Sequence, residues 1–330
     1  MTSELKATPP VVAVLVSNGV EAARARVLES LRQQNYKNLQ VLVLSSDPDV
    51  VKETIAGVLP KASLSEVAEE RSFGGAANHA GELVSGAAFY LFLRDDTALA
   101  EDAVSRLVDQ ALESNAAVLG PKIVNWNDES RILSMGYLVD AFGVESAFVE
   151  AGELDQQQHD RVREAFTVSG EAVLIRTDLF ETIGGFDERL EGFTQYLDFC
   201  WRAQIAGARV LVVPAAVAYS LHDESHTVGE SDRRNTLKGR QHVVAKCYGW
   251  VYLLPVLAGS LLLAILELGY SVLTLRFSHA RDVMMSWVWT VLRVGTLWKA
   301  RRQVASTRQI RDREIRRRQA PGSTRLKSFL

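Results

Sequence analysis

The sequence predicts an α/β domain with a mostly parallel sheet flanked by helices, followed by C-terminal membrane-associated helices. Three observations predict it. Short runs that are apolar on both faces alternate with amphipathic stretches, the pattern of parallel strands covered by helices. Polar turn residues follow those runs, where the ligands of such sheets sit. Finally, the 25 residues from Val251 to Leu275 carry a single charge, Glu267.

Taken in order, Val11–Val16 is a strand ending in the turn Ser17-Asn18-Gly19. Val20–Gln33 is a helix, with Ala22, Ala23, Val27, Leu28 and Leu31 at helical spacing. Gln40–Leu44 is a second strand, ending in Ser45-Ser46-Asp47-Pro48-Asp49. Gly74–Val84 is a helix, and Ala88–Leu93 a strand running into Arg94-Asp95-Asp96-Thr97. A helix over Ala103–Leu112 and a strand over Ala116–Val124 follow. These four strands are expected side by side, with Ser17, Asp95 and Asp96 gathered at the carboxyl edge. Ser130–Gln158 is irregular, and Phe166–Ile175 is strand-like around Ser169-Gly170. Gly184-Gly185-Phe186-Asp187 is a turn, Tyr196–Ile205 a helix, and Ala208–Val213 a last core strand.

Val251–Leu275 exceeds the roughly 20 residues that cross a bilayer. Val283–Trp298 is shorter, holds Trp287, Trp289, Trp298 and Arg293, and suits an interfacial helix. The expected divisions are a domain over 1–225, a juxtamembrane connector over 226–249, membrane-embedded or interfacial helices over 250–298 and a basic tail over 299–330.

With 47% apolar and 23% charged residues in 330, global disorder and low-complexity architectures are excluded. Net charge is −3, but Lys299–Leu330 alone carries +9, leaving −12 for the rest. Beside an apolar helix, that tail points to anionic lipid; no motif supports nucleic acid. Cys200 and Cys247 have neither metal nor redox spacing, which excludes a disulfide framework. Residues 1–10 are polar, so no signal peptide is expected.

Several strings, in this order, resemble the family 2 glycosyltransferases of GT-A fold. They are Leu31-Arg32-Gln33-Gln34-Asn35-Tyr36; Arg71–Gly81 with Gly74, Gly75 and Asn78; Leu91–Thr97; and Val168-Ser169-Gly170 followed by Gly184-Gly185-Phe186-Asp187-Glu188. Asp198–Ala203, Gly207 and Val212-Val213-Pro214 complete the series. The resemblance spans about Val11–His222, and the later segments resemble those of large actinobacterial membrane-associated members. It implies hexosyl or deoxyhexosyl transfer from a nucleotide sugar to a cell-envelope glycan or lipid-linked acceptor. It places the chain on the cytoplasmic face of the plasma membrane, with other envelope-biosynthesis proteins as partners.

The resemblance also implies a site. Mg2+ or Mn2+ would be held by Asp96 and His222. The donor would be lined by Ser17, Ser45, Asp47, Arg71, Asn78 and Asp95. Gly170, Glu171 and Trp201 would face the acceptor, and Asp198 is the acid left near the base position. The departures are equally specific. Arg94 stands at the first acid of the metal motif, Ser45 where the second strand usually ends in Asp, and Ser220 where a histidine is usual. Gln195 and Tyr196 replace the general-base acids, and neither is a base near neutral pH. The alternative is therefore a catalytically degenerate homologue, a membrane-bound binding or scaffolding module.

Overall fold

The computed structural model describes residues 8–17, 21–68, 72–221, 230–275, 277–292 and 294–322. The first half alternates strand and helix: β1 (Val11–Ser17), α1 (Glu21–Arg32), β2 (Leu39–Ser45), α2 (Pro48–Val58), β3 (Ser63–Glu66), α3 (Phe73–Leu83) and β4 (Phe89–Arg94). After β5 (Thr97–Leu99) and α4 (Ala103–Ser114) comes β6 (Val118–Asn125). The irregular region resolves into short strands: β7 (Arg131–Ser134), β8 (Tyr137–Val139), β9 (Glu145–Ala147), β10 (Glu153–Leu154) and β11 (Arg163–Glu164). Then come β12 (Ala172–Arg176), α5 (Thr177–Ile183), α6 (Phe193–Ile205) and β13 (Val210–Ser220). The chain continues through α7 (Glu230–Cys247), α8 (Trp250–Leu273), α9 (Phe277–Leu292), α10 (Val294–Thr307) and α11 (Asp312–Arg317).

The main sheet runs β10-β7-β6-β12-β4-β1-β2-β3. β3, β2, β1 and β4 are parallel neighbours. The expectation that Ala116–Val124 adjoins Ala88–Leu93 needs correcting: β12 lies between β4 and β6, antiparallel to both. A run that is apolar on both faces marks burial but carries no direction, so strand polarity was not readable there. The sheet is mixed, with its parallel half as expected.

Two apolar layers sandwich the sheet. Val11, Ala13 and Leu15 pack toward α1 and α4; Val12, Val14 and Val16 face the α3, α5 and α6 side. The alternation is the period-2 pleat of β1. A third cluster joins Trp201 of α6 to Val243, Cys247 and Tyr248, to Leu253 and Val256 of α8, and to Val304 and Ile315. The segment expected as a connector thus contains a helix packed on α6. The expected tail returns to the body as well: the Gln309 and Ile310 amides donate to the Ile205 carbonyl (2.9 and 3.0 Å) and Ala320 donates to Val139 (2.8 Å).

Candidate functional site

The strand register assembles a polar row at the carboxyl edge. Ser17 lies beside Ser45, Ser45 beside Glu66, and Val16 beside Arg94. Ser17 Oγ donates to Asp95 Oδ2 (3.5 Å) and accepts from Arg24 Nε (3.0 Å). Arg24 is 3% exposed, and its Nη1 has no hydrogen-bond partner. A buried guanidinium nitrogen left unmatched is costly, and an anion beside it removes that cost. Sequence reasoning passed over Arg24. The available signal was a charged residue on the apolar face of α1, between Ala23 and Val27, where charge is rare without a partner.

Beside this row, Arg94 Nη2 donates to Asp96 Oδ2 (2.8 Å), and Thr97 Oγ1 donates to Asp96 Oδ1 (3.2 Å). Burial opposes the Arg94 charge, but the carboxylates of Asp96 and Glu171 outweigh it and raise the guanidinium above its ordinary value. The Arg94 side chain stays 37% exposed, so it can meet a ligand. Hard divalent cations take six or more oxygen ligands, anchored by free carboxylates. Here both oxygens of Asp96 already accept hydrogen bonds, one from a cation. Among the described residues no group of three His, Cys, Asp or Glu converges. Among the described residues Asp96 is thus engaged by Arg94 and Thr97, and Arg94 brings positive charge to that position. His222, the other expected ligand, and Arg71 lie outside the described residues.

The other expected donor residues sit close to the edge with local duties. Ser45 Oγ accepts from the Asp47 amide (3.2 Å), and Asp47 caps α2 by accepting from Val50 N (3.4 Å). Asn78 is engaged with backbone across the fold: its Oδ1 accepts from Phe186 N (2.8 Å) and its Nδ2 donates to Phe186 O (2.9 Å). That clamp requires Gly185, at φ +67°, because a Cβ there would collide with Asn78 Oδ1.

At the base position, Gln195 Oε1 accepts from Gly74 N (3.1 Å), capping α3 from across the fold. Burial pushes the Tyr196 phenol far above its ordinary pKa. Its ring covers Gly170, where any Cβ would overlap it. Glu171 is buried and accepts a short hydrogen bond from Ser169 Oγ. Glu171 thus lies near the Arg94 charge and Gly170 under the Tyr196 ring, while Gln195 carries no basic atom and the Tyr196 phenol stays protonated.

Asp198 and Trp201 are corrections. Asp198 is 0% exposed and ion-paired to Arg202 Nε (2.7 Å) and Lys246 Nζ (2.5 Å). Trp201 is fully buried, edge-on to Phe166 (5.1 Å) and Tyr248 (4.9 Å). Both lie on the faces of α6 turned to the core and to α7, so neither reaches an acceptor.

Lys246 also pairs with Asp187 (2.7 Å), which Arg189 contacts (2.8 Å). Burial alone would raise the Asp187 carboxyl, but hydrogen bonds from His242 and Arg189 and the Lys246 charge hold it far below its ordinary 3.8. Because the folded pKa is depressed, this stabilisation is present above about pH 4 and is lost as pH falls below it. We expect Asp187→Asn to be less stable at pH 7 yet to lose less further stability than wild type between pH 5 and 2. Urea unfolding across that range checks it.

A family profile described as glycosyltransferase-like family 2 matches residues 9–240. No curated protein matches the chain in sequence. Among solved structures, GalNAc-T7 with UDP, GalNAc and Mn2+ is similar at TM-score 0.58 and 13% identity, over 75% of this chain and 49% of that one. The S. aureus TarS fragment 1–349 with UDP is similar at TM-score 0.50 and 18% identity, over 72% of this chain and 65% of that one. The match therefore spans about half of the first neighbour and under two thirds of the second. At these identities the likeness establishes the fold.

Proposed function

The chain belongs to the glycosyltransferase-like family 2, and from that premise we propose that it binds a nucleotide sugar at the carboxyl edge of β1, β2 and β4. It then transfers a hexosyl or deoxyhexosyl group to a cell-envelope glycan or lipid-linked acceptor at the cytoplasmic face of the membrane. The observation that carries this is the Arg24–Ser17–Asp95 chain with its unmatched guanidinium nitrogen, beside the half-exposed Arg94. The departing diphosphate needs positive charge as its own charge develops. GalNAc-T7, in the structure named above, carries Mn2+; in this chain we propose that Arg94 and Arg24 carry that role. Ser17 orients Arg24, and the Asp96 carboxylate holds Arg94 at the strand end.

A second reading has its own support. An inverting transfer needs a group to take the acceptor hydroxyl's proton. The positions that would supply it hold an amide turned onto Gly74, a buried phenol and the sequestered Asp198. The same site could therefore bind nucleotide sugar without transferring it.

Calorimetric titration with UDP, GDP and dTDP, each with EDTA or Mn2+, tests both. We expect one nucleotide to bind in EDTA. No binding under any condition overturns the donor site; binding with neither transfer nor donor hydrolysis selects the second reading.

A further inference from the structure

The polarity of the C-terminal helices is inverted relative to a water-facing surface. The stripe of α8 turned inward is Leu253, Val256, Ser260, Leu263, Ala264, Glu267 and Ser271. It holds the sole charge of the helix, Glu267, at 6% exposure. The outward face is apolar along its length, with Val251 80%, Leu262 60%, Leu266 59% and Leu273 84% exposed. α9 follows the same order over most of its described length: Asp282 and Ser286 are buried and Met284, Met285 and Val288 exposed, with Arg281 the exposed charge near its start. A helix in water shows the opposite order. Polar groups turned inward beneath a largely apolar exterior is the order that hydrocarbon imposes.

Length and composition alone make α8, at 24 residues, the one described helix able to cross a bilayer. Its neighbours argue otherwise. Phe142 of the body lies against Gly259, midway along α8. Arg240 of α7 helps line a small cavity with Phe142, Leu257, Ser260 and Trp287, and it donates to Glu145 (2.7 Å). α9 is tied to α7 by Gln241 Nε2 donating to Ser286 Oγ (3.1 Å). A crossing α8 would carry half its length, with this ion pair and the body beside it, into hydrocarbon, where charges are expensive.

The near end of α8 is edged by aromatics and arginines. Trp250 and Trp298 pack at 5.7 Å. Arg301 stacks over Trp250 (4.3 Å), Arg302 over Trp298 (5.8 Å) and Arg316 over Tyr252 (5.2 Å). Aromatic rings backed by cations suit the headgroup layer, and the exposed Arg302, Arg311, Arg313, Arg316 and Arg317 complement anionic lipid.

We propose that α8 and α9 lie in the plane of one leaflet, their outward apolar face sunk to the acyl boundary and the arginine edge on anionic headgroups, without crossing the membrane. The surface is separate from the donor site, and its failure would leave that reading untouched.

Two measurements test it on the full chain. In flotation assays, binding to phosphatidylcholine vesicles containing phosphatidylglycerol should exceed binding to phosphatidylcholine alone. It should fall more than tenfold in the Leu262→Glu/Leu266→Glu variant, whose circular dichroism and melting should match wild type. Equal binding by the variant, or a wild-type dimer that ignores vesicles, overturns the lipid assignment. In intact cells, single cysteines are introduced at Lys52 in the body and Thr274 at the far end of α8. Cys200 and Cys247 can remain, since both are buried with thiols pushed up to about 11 and 12. An impermeant maleimide should treat both new cysteines alike; labelling on opposite sides of the membrane means α8 crosses and overturns the proposal.

Discussion

Asp198→Ala is expected to cost about 3–5 kcal/mol of folding stability, the usual price of stripping one partner from a buried ion pair. Asp198 has no solvent exposure and faces both Lys246 and Arg202. Arg202 also spends its remaining nitrogens on the Ile183 and Gly185 carbonyls (2.8 and 2.7 Å), so the turn carrying Phe186 depends on the same group. Removing the carboxylate leaves two cations in a low-dielectric interior, with Asp187 to compensate only Lys246. Denaturant unfolding measures the loss. Pairing the change with Lys246→Met should cost less than the two single changes summed, because one stranded charge is then gone. If instead Asp198→Ala keeps wild-type stability and loses only activity, Asp198 is a catalytic acid and the structural assignment fails.

Arg94→Ala should weaken nucleotide-diphosphate binding by about 10- to 100-fold, the range set by losing a charged hydrogen bond of about 1.5–3 kcal/mol. Melting temperature should fall less than in Asp198→Ala, since Arg94 is part-exposed at a strand end and the buried Asp96 keeps Thr97. Arg24→Gln should weaken binding similarly while retaining the Ser17 contact. The sharper variant is Arg94→Asp. It frees Asp96 and adds a carboxylate, so binding should become Mn2+-dependent and vanish in EDTA. Wild-type affinity in Arg94→Ala, or no response of Arg94→Asp to Mn2+, would show that the leaving group is stabilised elsewhere.

Much of the parallel half was legible because its causes are local. Val11–Val16 and Ala88–Leu93 are apolar on both faces and end in Ser17 and Arg94-Asp95-Asp96, so both a buried strand and a polar edge follow from neighbouring residues. The clamp of Asn78 on Phe186 was not legible, because an amide reads the same whether it meets a ligand or a backbone 108 residues away. Gln195 is similar: its departure from an acid was visible, its use in capping Gly74 was not.

The sequence by itself determined the alternation of strands and helices, the carboxyl-edge cluster, the apolar C-terminal helix and the basic stretch after it. Each is a matter of spacing or composition within a few turns. Tertiary structure decided the rest. It inserted β12 antiparallel between β4 and β6, closed Arg94 onto Asp96, and sank Asp198 between Arg202 and Lys246. It also turned Glu267 inward and left Leu262 and Leu266 out. The physical reason is the same in each case. A charge or apolar side chain takes its role from what lies across from it, and that partner is brought by strand register and helix packing rather than by its neighbours in the chain.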